Sequence, residues 1–259
     1  AFPDPDKRVF INQDVCEGCG DCSVQSNCIS ITPLETEFGR KRKIDQSTCN
    51  KDFSCLKGFC PSFVTVEGAK VATRIAGDSA GLEARLENLP EAEVADLDEN
   101  FAMLVTGIGG TGVLTVGALV GMAAHLEGKG CTVLDMTGMA QKGGAVTAHI
   151  RIATSPDRLS ATRLSYGHTD VLLACDAIVG SSQDVLKTIE TDRSVAVVNA
   201  DVTPTGAFQT DRDASYDDRK LISAIERALG KGTLFTLHGS GISTSLTGDS
   251  IGTNVLMLG

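Results

Sequence analysis

The sequence predicts an α/β protein of two domains: a small cysteine-rich domain over residues 1–70 and a larger domain over residues 101–259. Three observations support this prediction. Seven of the nine cysteines lie between Cys16 and Cys60. An apolar run enters a glycine-rich loop at residues 107–112 and continues into a second apolar run. Beyond that loop, strand-like and helix-like segments alternate, which is typical of a mainly parallel sheet. Residues 71–100, rich in Ala, Glu and Gly, form the expected linker.

The composition limits the classes of partner. With 259 residues and 42% hydrophobic content, the chain is long and apolar enough to build real cores. Its net charge of -10 predicts no general attraction to nucleic acid or to anionic lipid. The chain begins without Met and stops inside a helix-like stretch, so we expect it to be part of a longer protein.

One uncharged stretch, residues 101–124, is long enough to imitate a membrane span. Its glycines make a continuous helix unfavourable, because each costs about 1 kcal/mol relative to Ala. We therefore predict a buried strand, a tight turn and a buried helix, and no membrane association.

The first cysteine group has the spacing of an iron-sulfur motif. Cys16, Cys19 and Cys22 are separated by two residues each, and Cys28 follows. Three thiolates at this spacing fit one iron-sulfur cluster, and in two-cluster ferredoxins the fourth cysteine of each run binds the other cluster. A zinc site is the alternative, but Cys22 has no role in a pair of CxxC motifs.

The second group is a duplicate of the first. Ile-Asn-Gln at 11–13 precedes Cys16, and Ile-Asp-Gln at 44–46 precedes Cys49, which is 33 positions later. This offset aligns Cys19 with Asp52 and Cys22 with Cys55. Cys28 aligns with Cys60 at an offset of 32. The second group therefore carries a carboxylate where the first carries a thiol.

The duplication predicts a bacterial-ferredoxin-like domain with two 4Fe-4S clusters and crossed ligands. The first cluster would take Cys16, Cys19, Cys22 and Cys60, and the second Cys28, Cys49, Asp52 and Cys55. A carboxylate oxygen holds iron less firmly than a thiolate in such a site, so the iron at Asp52 should be labile. Asp52 as a simple turn residue, with a 3Fe-4S cluster or none, is the alternative.

Local sequence around these cysteines gives two further predictions. Short apolar strands at 8–11, 29–31 and 63–66 should shield the clusters from water. The basic run at residues 40–43 is interpreted as a solvated hairpin, with docking of an acidic electron carrier as the alternative.

The second domain has a glycine loop in the context of a Rossmann-like fold. The loop glycines Gly107, Gly109, Gly110 and Gly112 follow a predicted strand at 102–106 and precede a predicted helix at 113–127. Such glycines let a phosphate approach the helix N-terminus, and Asp135, near the end of the next strand, is placed to bind a ribose. In the alternative interpretation the glycines only permit close packing.

Further elements complete the alternating pattern. We predict strands at 147–153, 171–175, 195–199 and 234–237, and helices at 183–190 and 217–229. The loop at 136–144 is either a surface loop or a functional one, in which Lys142 would meet an anionic group. His149, Cys131 and Cys175 are interpreted as core residues, and no catalytic constellation is apparent.

Two pairs of stretches give the sequence a family resemblance. VCEGCGDCSVQSNC with CNKDFSCLKGFCPSFVTVEG, and LVTGIGGTGVLTVG with MAQKGGAVTAHIRI, together resemble the 2-oxoacid:ferredoxin oxidoreductases, in particular the fused indolepyruvate ferredoxin oxidoreductases. The likeness covers nearly the whole chain. It identifies the larger domain as similar to the gamma domain of these enzymes.

The resemblance implies part of a larger cytoplasmic oxidoreductase that decarboxylates indolepyruvate or another aryl 2-oxoacid. CoA would be a substrate, and an aryl-acyl-CoA, CO2 and reduced ferredoxin the products. The thiamine diphosphate and Mg would belong to other domains, which become partners together with external ferredoxin in a dimeric assembly. An NAD(P)-dependent iron-sulfur oxidoreductase and a scaffold with structural clusters are the alternatives.

Overall fold

The structure, a computed structural model, describes residues 4–68, 90, 97, 100–138, 143–202, 211 and 213–259. These residues divide into two compact units. The first contains residues 4–68 with 143, 211 and 213–215, and the second contains the remaining described residues. Most of the predicted linker, together with Gln141 and Lys142, lies outside the described residues.

The first unit consists of two short antiparallel sheets. Strand β1 (Lys7–Ile11) pairs with β4 (Phe63–Glu67), and β2 (Ile31–Thr36) pairs with β3 (Gly39–Ile44). Helix α1 (Asp21–Ser26) and a 3-10 turn (Ser54–Lys57) connect them. The strand predicted at 29–31 begins only at its last residue, because residues 28–31 form a turn in which Ile31 N donates to Cys28 O at 3.2 Å.

The duplication in the sequence is also a duplication in structure. Asn12 N donates to Ser62 O at 2.7 Å, and Asp45 N donates to Ser30 O at 2.8 Å. Asn12 and Asp45 are equivalent positions of the repeat, as are Ser30 and Ser62. The beginning of each repeat is therefore hydrogen-bonded to the end of the other repeat. This pairing brings Cys60 close to the first cysteine loop and Cys28 close to the second.

The second unit is built on one six-stranded sheet. Its strands are β5 (Phe101–Ile108), β6 (Gly130–Thr137), β7 (Ala145–Ala153), β8 (Val171–Ala174), β9 (Val195–Asn199) and β10 (Thr233–Leu237). The spatial order is β10-β9-β8-β5-β7-β6. The β10-β9, β9-β8 and β8-β5 pairings are parallel, so the prediction of a mixed α/β fold with a mainly parallel sheet is confirmed.

Strand β7 differs from the prediction. It runs antiparallel to both neighbours and lies between β5 and β6, so that the helical connection from β5 to β6 skips one place in the sheet. The physical reason is the short connection from residue 138 to 144, since a parallel crossover needs about a dozen residues or more.

Helices cover both faces of this sheet. They are α2 (Val113–Leu126), α3 (Ala177–Gly180), α4 (Gln183–Leu186), α5 (Asp218–Leu229), α6 (Gly239–Thr247) and α7 (Thr253–Leu258). Alternate residues of β5 enter two different cores: Leu104 packs with residues of α3, α4 and α5, and Val105 packs with residues of α2 and α7. This double burial explains why β5 is apolar at every position except Thr106. Helix α4 is shorter than the predicted 183–190.

The uncharged stretch at 101–124 is divided as predicted into β5, the glycine loop and α2. Among the described residues, no helix has the length and apolar character that crossing a membrane requires.

Candidate functional site

The first cysteine loop is shaped by two glycines and one hydrogen bond to sulfur. Gly18 and Gly20 adopt φ values of 72° and 80°, a region that disfavours residues with a Cβ atom. This turn lets Gly18 N donate to Cys16 Sγ at 3.4 Å. Burial raises the pKa of the Cys22 thiol, and the nearby thiols of Cys60 and Cys16 raise it further. The turn thus gathers thiols from both repeats.

The second loop repeats this geometry without glycine. Lys51 and Phe53, at the positions equivalent to Gly18 and Gly20, have φ values of 58° and 55°. Lys51 N donates to Cys49 Sγ at 3.4 Å, as Gly18 N does to Cys16. Non-glycine residues in this conformation carry local strain of about 1 kcal/mol or more. The same hydrogen-bonded turn is therefore retained here at a conformational cost.

A second group of ligand-type side chains surrounds Cys55. Burial raises the pKa of its thiol to about 11, with further contributions from the thiols of Cys28 and Cys49 and from the Asp52 carboxylate. These four residues are the set predicted for the second cluster. Positively charged iron would displace the thiol protons that burial retains, so the chemistry of this donor set fits an iron-sulfur cluster.

Asp52 also has a structural task. Its Oδ1 accepts hydrogen bonds from Ser54 N at 3.0 Å and from Ser54 Oγ at 2.8 Å. This arrangement is an Asx turn that starts the 3-10 segment. The turn role predicted as an alternative is therefore real, and it does not exclude iron binding, since a carboxylate has two oxygens.

No three His, Cys, Asp or Glu side chains of the described residues converge as a single metal ion would require. The ligands of a 4Fe-4S cluster bind different iron atoms, so they need to surround a cluster and not a point. The two neighbourhoods around Cys22 and Cys55 are of this kind. Assignment of individual ligands stays a prediction.

The basic run at 40–43 is not a patch of four exposed charges. Arg40 Nε contacts Glu35 Oε1 at 2.5 Å, and Lys41 Nζ donates to Gln13 O at 2.6 Å. Arg42 is buried. The run lies in β3 of a hairpin, as expected, but a large part of its charge is used within the fold.

The glycine loop of the second unit is held from both sides. Gly109 N donates to Gly144 O at 2.8 Å. Asn254 of α7, which is buried, donates from Nδ2 to Thr111 O at 2.8 Å. Gly110 and Gly112 have φ values of 94° and 97°, so glycine is needed at both. The loop therefore has a fixed backbone shape in front of α2.

Gly107 and the start of α2 show what the glycines allow. A Cβ atom on Gly107 would lie 2.7 Å from Val113 Cγ2, so this glycine permits close packing of strand and helix. No side chain caps the start of α2 at Gly112. Gly107 therefore supports the interpretation that the glycines permit close packing. Gly112 supports the other interpretation, in which the N-terminus of α2 is open to a ligand.

Asp135 is separated from this loop. It lies in β6, opposite Ala148 of β7, and β7 intervenes between β6 and β5. In dinucleotide-binding folds the strand that carries the ribose carboxylate is the direct neighbour of the strand before the glycine loop. This geometry weighs against the predicted ribose contact.

His149, Cys131 and Cys175 are packed within the second unit. His149 is buried, and its Nδ1 accepts from Leu164 N at 3.3 Å. Burial lowers the pKa of His149, and the charges of Arg163 and Arg151 lower it further. Burial raises the pKa of the Cys131 thiol and that of the Cys175 thiol, the latter to about 12. His149 and Cys175 are thus buried as expected, whereas Cys131 is only partly buried against the core.

Sequence reasoning missed a polar cluster at the carboxyl ends of β9 and β10. His238 Nδ1 lies 2.8 Å from Asp201 Oδ1, and Asp201 Oδ2 accepts from Ser240 N at 2.9 Å. Buried Asn199 accepts from Gly239 N at 3.0 Å. The sequence did contain a signal for this cluster, because Asp201 and His238 follow two predicted parallel strands. The carboxyl ends of parallel strands meet at one edge of the sheet.

The fold and these sites point to an oxidoreductase of the 2-oxoacid class. The family model described as pyruvate ferredoxin/flavodoxin oxidoreductase matches residues 102–259, more than half of the chain. The chain belongs to this family, and the resemblance predicted from the motifs is confirmed.

Two named relatives are both indolepyruvate oxidoreductase subunits. Indolepyruvate oxidoreductase subunit IorB of Pyrococcus horikoshii is 27% identical over 164 residues, covering 62% of this chain and 76% of the relative. The subunit of the same name from Archaeoglobus fulgidus is 34% identical over 74 residues, covering 29% of this chain and 35% of the relative. The chain thus spans about three quarters of one relative and about a third of the other.

Solved structures of lower similarity are also matched. Pyruvate oxidoreductase subunit PORC of Thermotoga maritima is 17% identical with a TM-score of 0.43, covering 62% of this chain and 74% of that chain. The 2-oxoglutarate:ferredoxin oxidoreductase of Magnetococcus marinus is 15% identical with a TM-score of 0.44, covering 61% and 23%.

Proposed function

We propose that this chain is the electron-transfer and gamma-domain portion of a 2-oxoacid:ferredoxin oxidoreductase. Its substrate would be indolepyruvate or another aryl pyruvate, converted with CoA to aryl-acetyl-CoA and CO2, with reduction of ferredoxin. The family match and the relatives named indolepyruvate oxidoreductase subunit IorB support this proposal. Thiamine diphosphate and Mg would be bound by other domains of the complete enzyme.

One observation carries the electron-transfer part of the proposal: the thiols are grouped across the two repeats. Cys22 has Cys16 and Cys60 as electrostatic neighbours, and Cys55 has Cys28, Cys49 and Asp52. Crossed grouping of this kind is what a two-cluster ferredoxin requires. Iron-sulfur clusters at these positions would accept and release single electrons.

The number of clusters suits the chemistry of the reaction. Oxidative decarboxylation of a 2-oxoacid to an acyl-CoA releases two electrons, whereas a cluster and a ferredoxin each carry one. The protein groups then have two tasks. The N–H groups of Gly18 and Lys51 would stabilise negative charge on the sulfurs they contact, and the buried residues Val9 and Ile31 of the strands would limit the access of water.

The surface of the second unit supports a partner domain. Leu114, Leu119, Met122 and Leu126 of α2 are 44%, 46%, 58% and 79% exposed. An apolar helix surface of this kind is typical of a protein interface. We propose that thiamine-binding domains of the same enzyme cover it in a dimeric assembly, and that external ferredoxin accepts electrons from the first unit.

Ligand titration of the anaerobically prepared chain distinguishes this function from the NAD(P)-dependent alternative. We expect no saturable binding of NADH and no bleaching of cluster absorbance by NADH. The separation of Asp135 from the glycine loop supports this expectation. Saturable NADH binding with bleaching would contradict the proposed function.

Two cysteine variants test the crossed grouping. Cys60→Ser should damage the cluster associated with Cys16, Cys19 and Cys22, whereas Cys28→Ser should damage the other. Cys131→Ser, outside the first unit, is the control and should leave both clusters intact. EPR of the reduced variants is the measurement. Loss of the same signal in Cys60→Ser and Cys28→Ser would refute crossed ligation.

A further inference from the structure

A cavity of about 550 Å³ opens at the amino-terminal edge of the sheet in the second unit. Its lining includes Ala102 at the start of β5, Asp170 before β8 and Arg193 before β9. The volume lies in the range of small-molecule sites. The glycine loop is at the other end of β5, about 20 Å along the strand. The cavity is therefore separate from the site described above.

The two carboxylates of the cavity are already used. Asp170 Oδ1 lies 2.8 Å from Arg193 Nη2, and its Oδ2 accepts from Ala102 N at 2.8 Å. Glu190 Oε2 lies 3.0 Å from Arg193 Nη1. Arg193 thus ties Asp170 and Glu190 together, and neither carboxylate is directed at the other two arginines of the cavity.

Those two arginines, Arg151 of β7 and Arg158, have no carboxylate oxygen within 4 Å among the described residues, although the neighbouring Asp157 interacts electrostatically with Arg158. Among the described residues, neither forms an ion pair. Arg151 Nη2 reaches only Arg163 O, at 3.5 Å, and Arg158 Nη1 reaches only Thr154 Oγ1, at 3.4 Å. Arg151 Nε is buried without a hydrogen-bond partner in the described part of the chain. The partly buried Arg151 guanidinium is therefore costly unless an anion satisfies it, whereas Arg158 is exposed and can turn toward such an anion.

We propose that this cavity binds a small molecule through a phosphate group. Arg151, from a strand, and Arg158, from the segment that follows it, line the same cavity together with Asn100 and His168. One guanidinium fork satisfies a carboxylate, whereas a phosphate has enough oxygens for donors from several directions. Asn100 Nδ2 donates to Arg158 O at 3.1 Å, which fixes the backbone of Arg158.

Titration of the whole chain with inorganic phosphate tests the site. At constant ionic strength we expect saturable binding by calorimetry, with chemical-shift changes at the amides of Ala102 and Asp170. Acetate should not reproduce them. Titration with ribose 5-phosphate distinguishes a phosphomonoester ligand from free phosphate. Tighter binding of ribose 5-phosphate than of phosphate indicates that the natural ligand is a phosphomonoester, and equal binding indicates that it is free phosphate.

Arginine variants locate the binding. Arg158→Gln, at an exposed position, should weaken phosphate binding about tenfold, as loss of a charged hydrogen bond predicts. Arg151→Met keeps the apolar part of the side chain and should weaken it at least as much. Arg227→Gln, an exposed arginine of α5, is the control and should bind normally. Absence of saturable binding, equal binding of acetate, or unchanged binding in Arg158→Gln and Arg151→Met would overturn the proposal.

Discussion

Asp52 is the residue at which structural and functional roles are hardest to separate, because its carboxylate caps a turn and stands at a predicted ligand position. Asp52→Asn separates the two roles, since the amide oxygen retains the hydrogen bonds from Ser54 while the charge is lost. We expect Asp52→Asn to lose iron from the second cluster faster than the native chain. We expect Asp52→Cys to retain it longer, because thiolate holds iron more firmly.

Iron release under controlled oxidation measures both effects. Asp45→Asn is the matched control: Asp45 accepts from Ser47 N in the same type of turn, and the equivalent residue of the first repeat is already Asn12. Equal rates of iron loss in the native chain, Asp52→Asn and Asp52→Cys would show that Asp52 is only a turn residue.

We expect the stability of the second unit to depend on pH through His149. Its pKa is lowered mainly by burial, so the unfolded chain binds a proton at a pH at which the folded chain does not. The free energy of unfolding should therefore fall as pH decreases below about 6.5, the usual histidine value. His149→Asn, which keeps an acceptor near Leu164 N, should flatten this slope.

Chemical denaturation at several pH values between about 5 and 8 measures this slope. His125→Asn removes an exposed imidazole from α2 and should leave the slope unchanged. If the free energy of unfolding depends on pH in the same way in the native chain and in His149→Asn, a group other than His149 is responsible.

At the scale of elements, the cysteine loop of the first repeat depends on Gly18. A Cβ atom there would lie 2.0 Å from Arg40 O, and the residue has a φ of 72°. Gly18→Ala should therefore destabilise the first unit by several kcal/mol and release iron from the first cluster. Gly39→Ala is a matched control with a φ of 94° and no atom within 4 Å of the added Cβ.

Gly39→Ala should cost only about 1–2 kcal/mol, the conformational part. Thermal denaturation and iron content of the two variants give the comparison. Similar effects of the two substitutions would mean that close contact with Arg40 is unimportant.

The glycine loop and its flanking elements could be predicted from the sequence, whereas long-range contacts of the same unit could not. The strand, turn and helix around the glycine loop follow from local pattern, because an apolar run interrupted by four glycines has few stable conformations. The orientation of β7 was accessible through the short connection before it, but the alternating pattern favoured a parallel strand. The contact of Asn254 with Thr111 joins residues 143 positions apart, and no local pattern indicates such a contact.

At the scale of the whole molecule, the repeat was the most informative feature of the sequence. It aligned the ligand positions of the two halves, and the crossed ligation of two-cluster ferredoxins then predicted which loop each fourth cysteine approaches. The arginines of the cavity could not be predicted as a group. They come from separate elements, and only the order of strands brings them to one edge of the sheet.

We propose above that the first unit holds two iron-sulfur clusters that carry electrons for a 2-oxoacid oxidoreductase. Iron and sulfide analysis of the anaerobically prepared chain, combined with EPR of the reduced protein, tests it most directly. Two intact 4Fe-4S clusters would give about eight irons per chain and signals from two interacting centres. About four irons, with the whole EPR signal from a single centre, would contradict it.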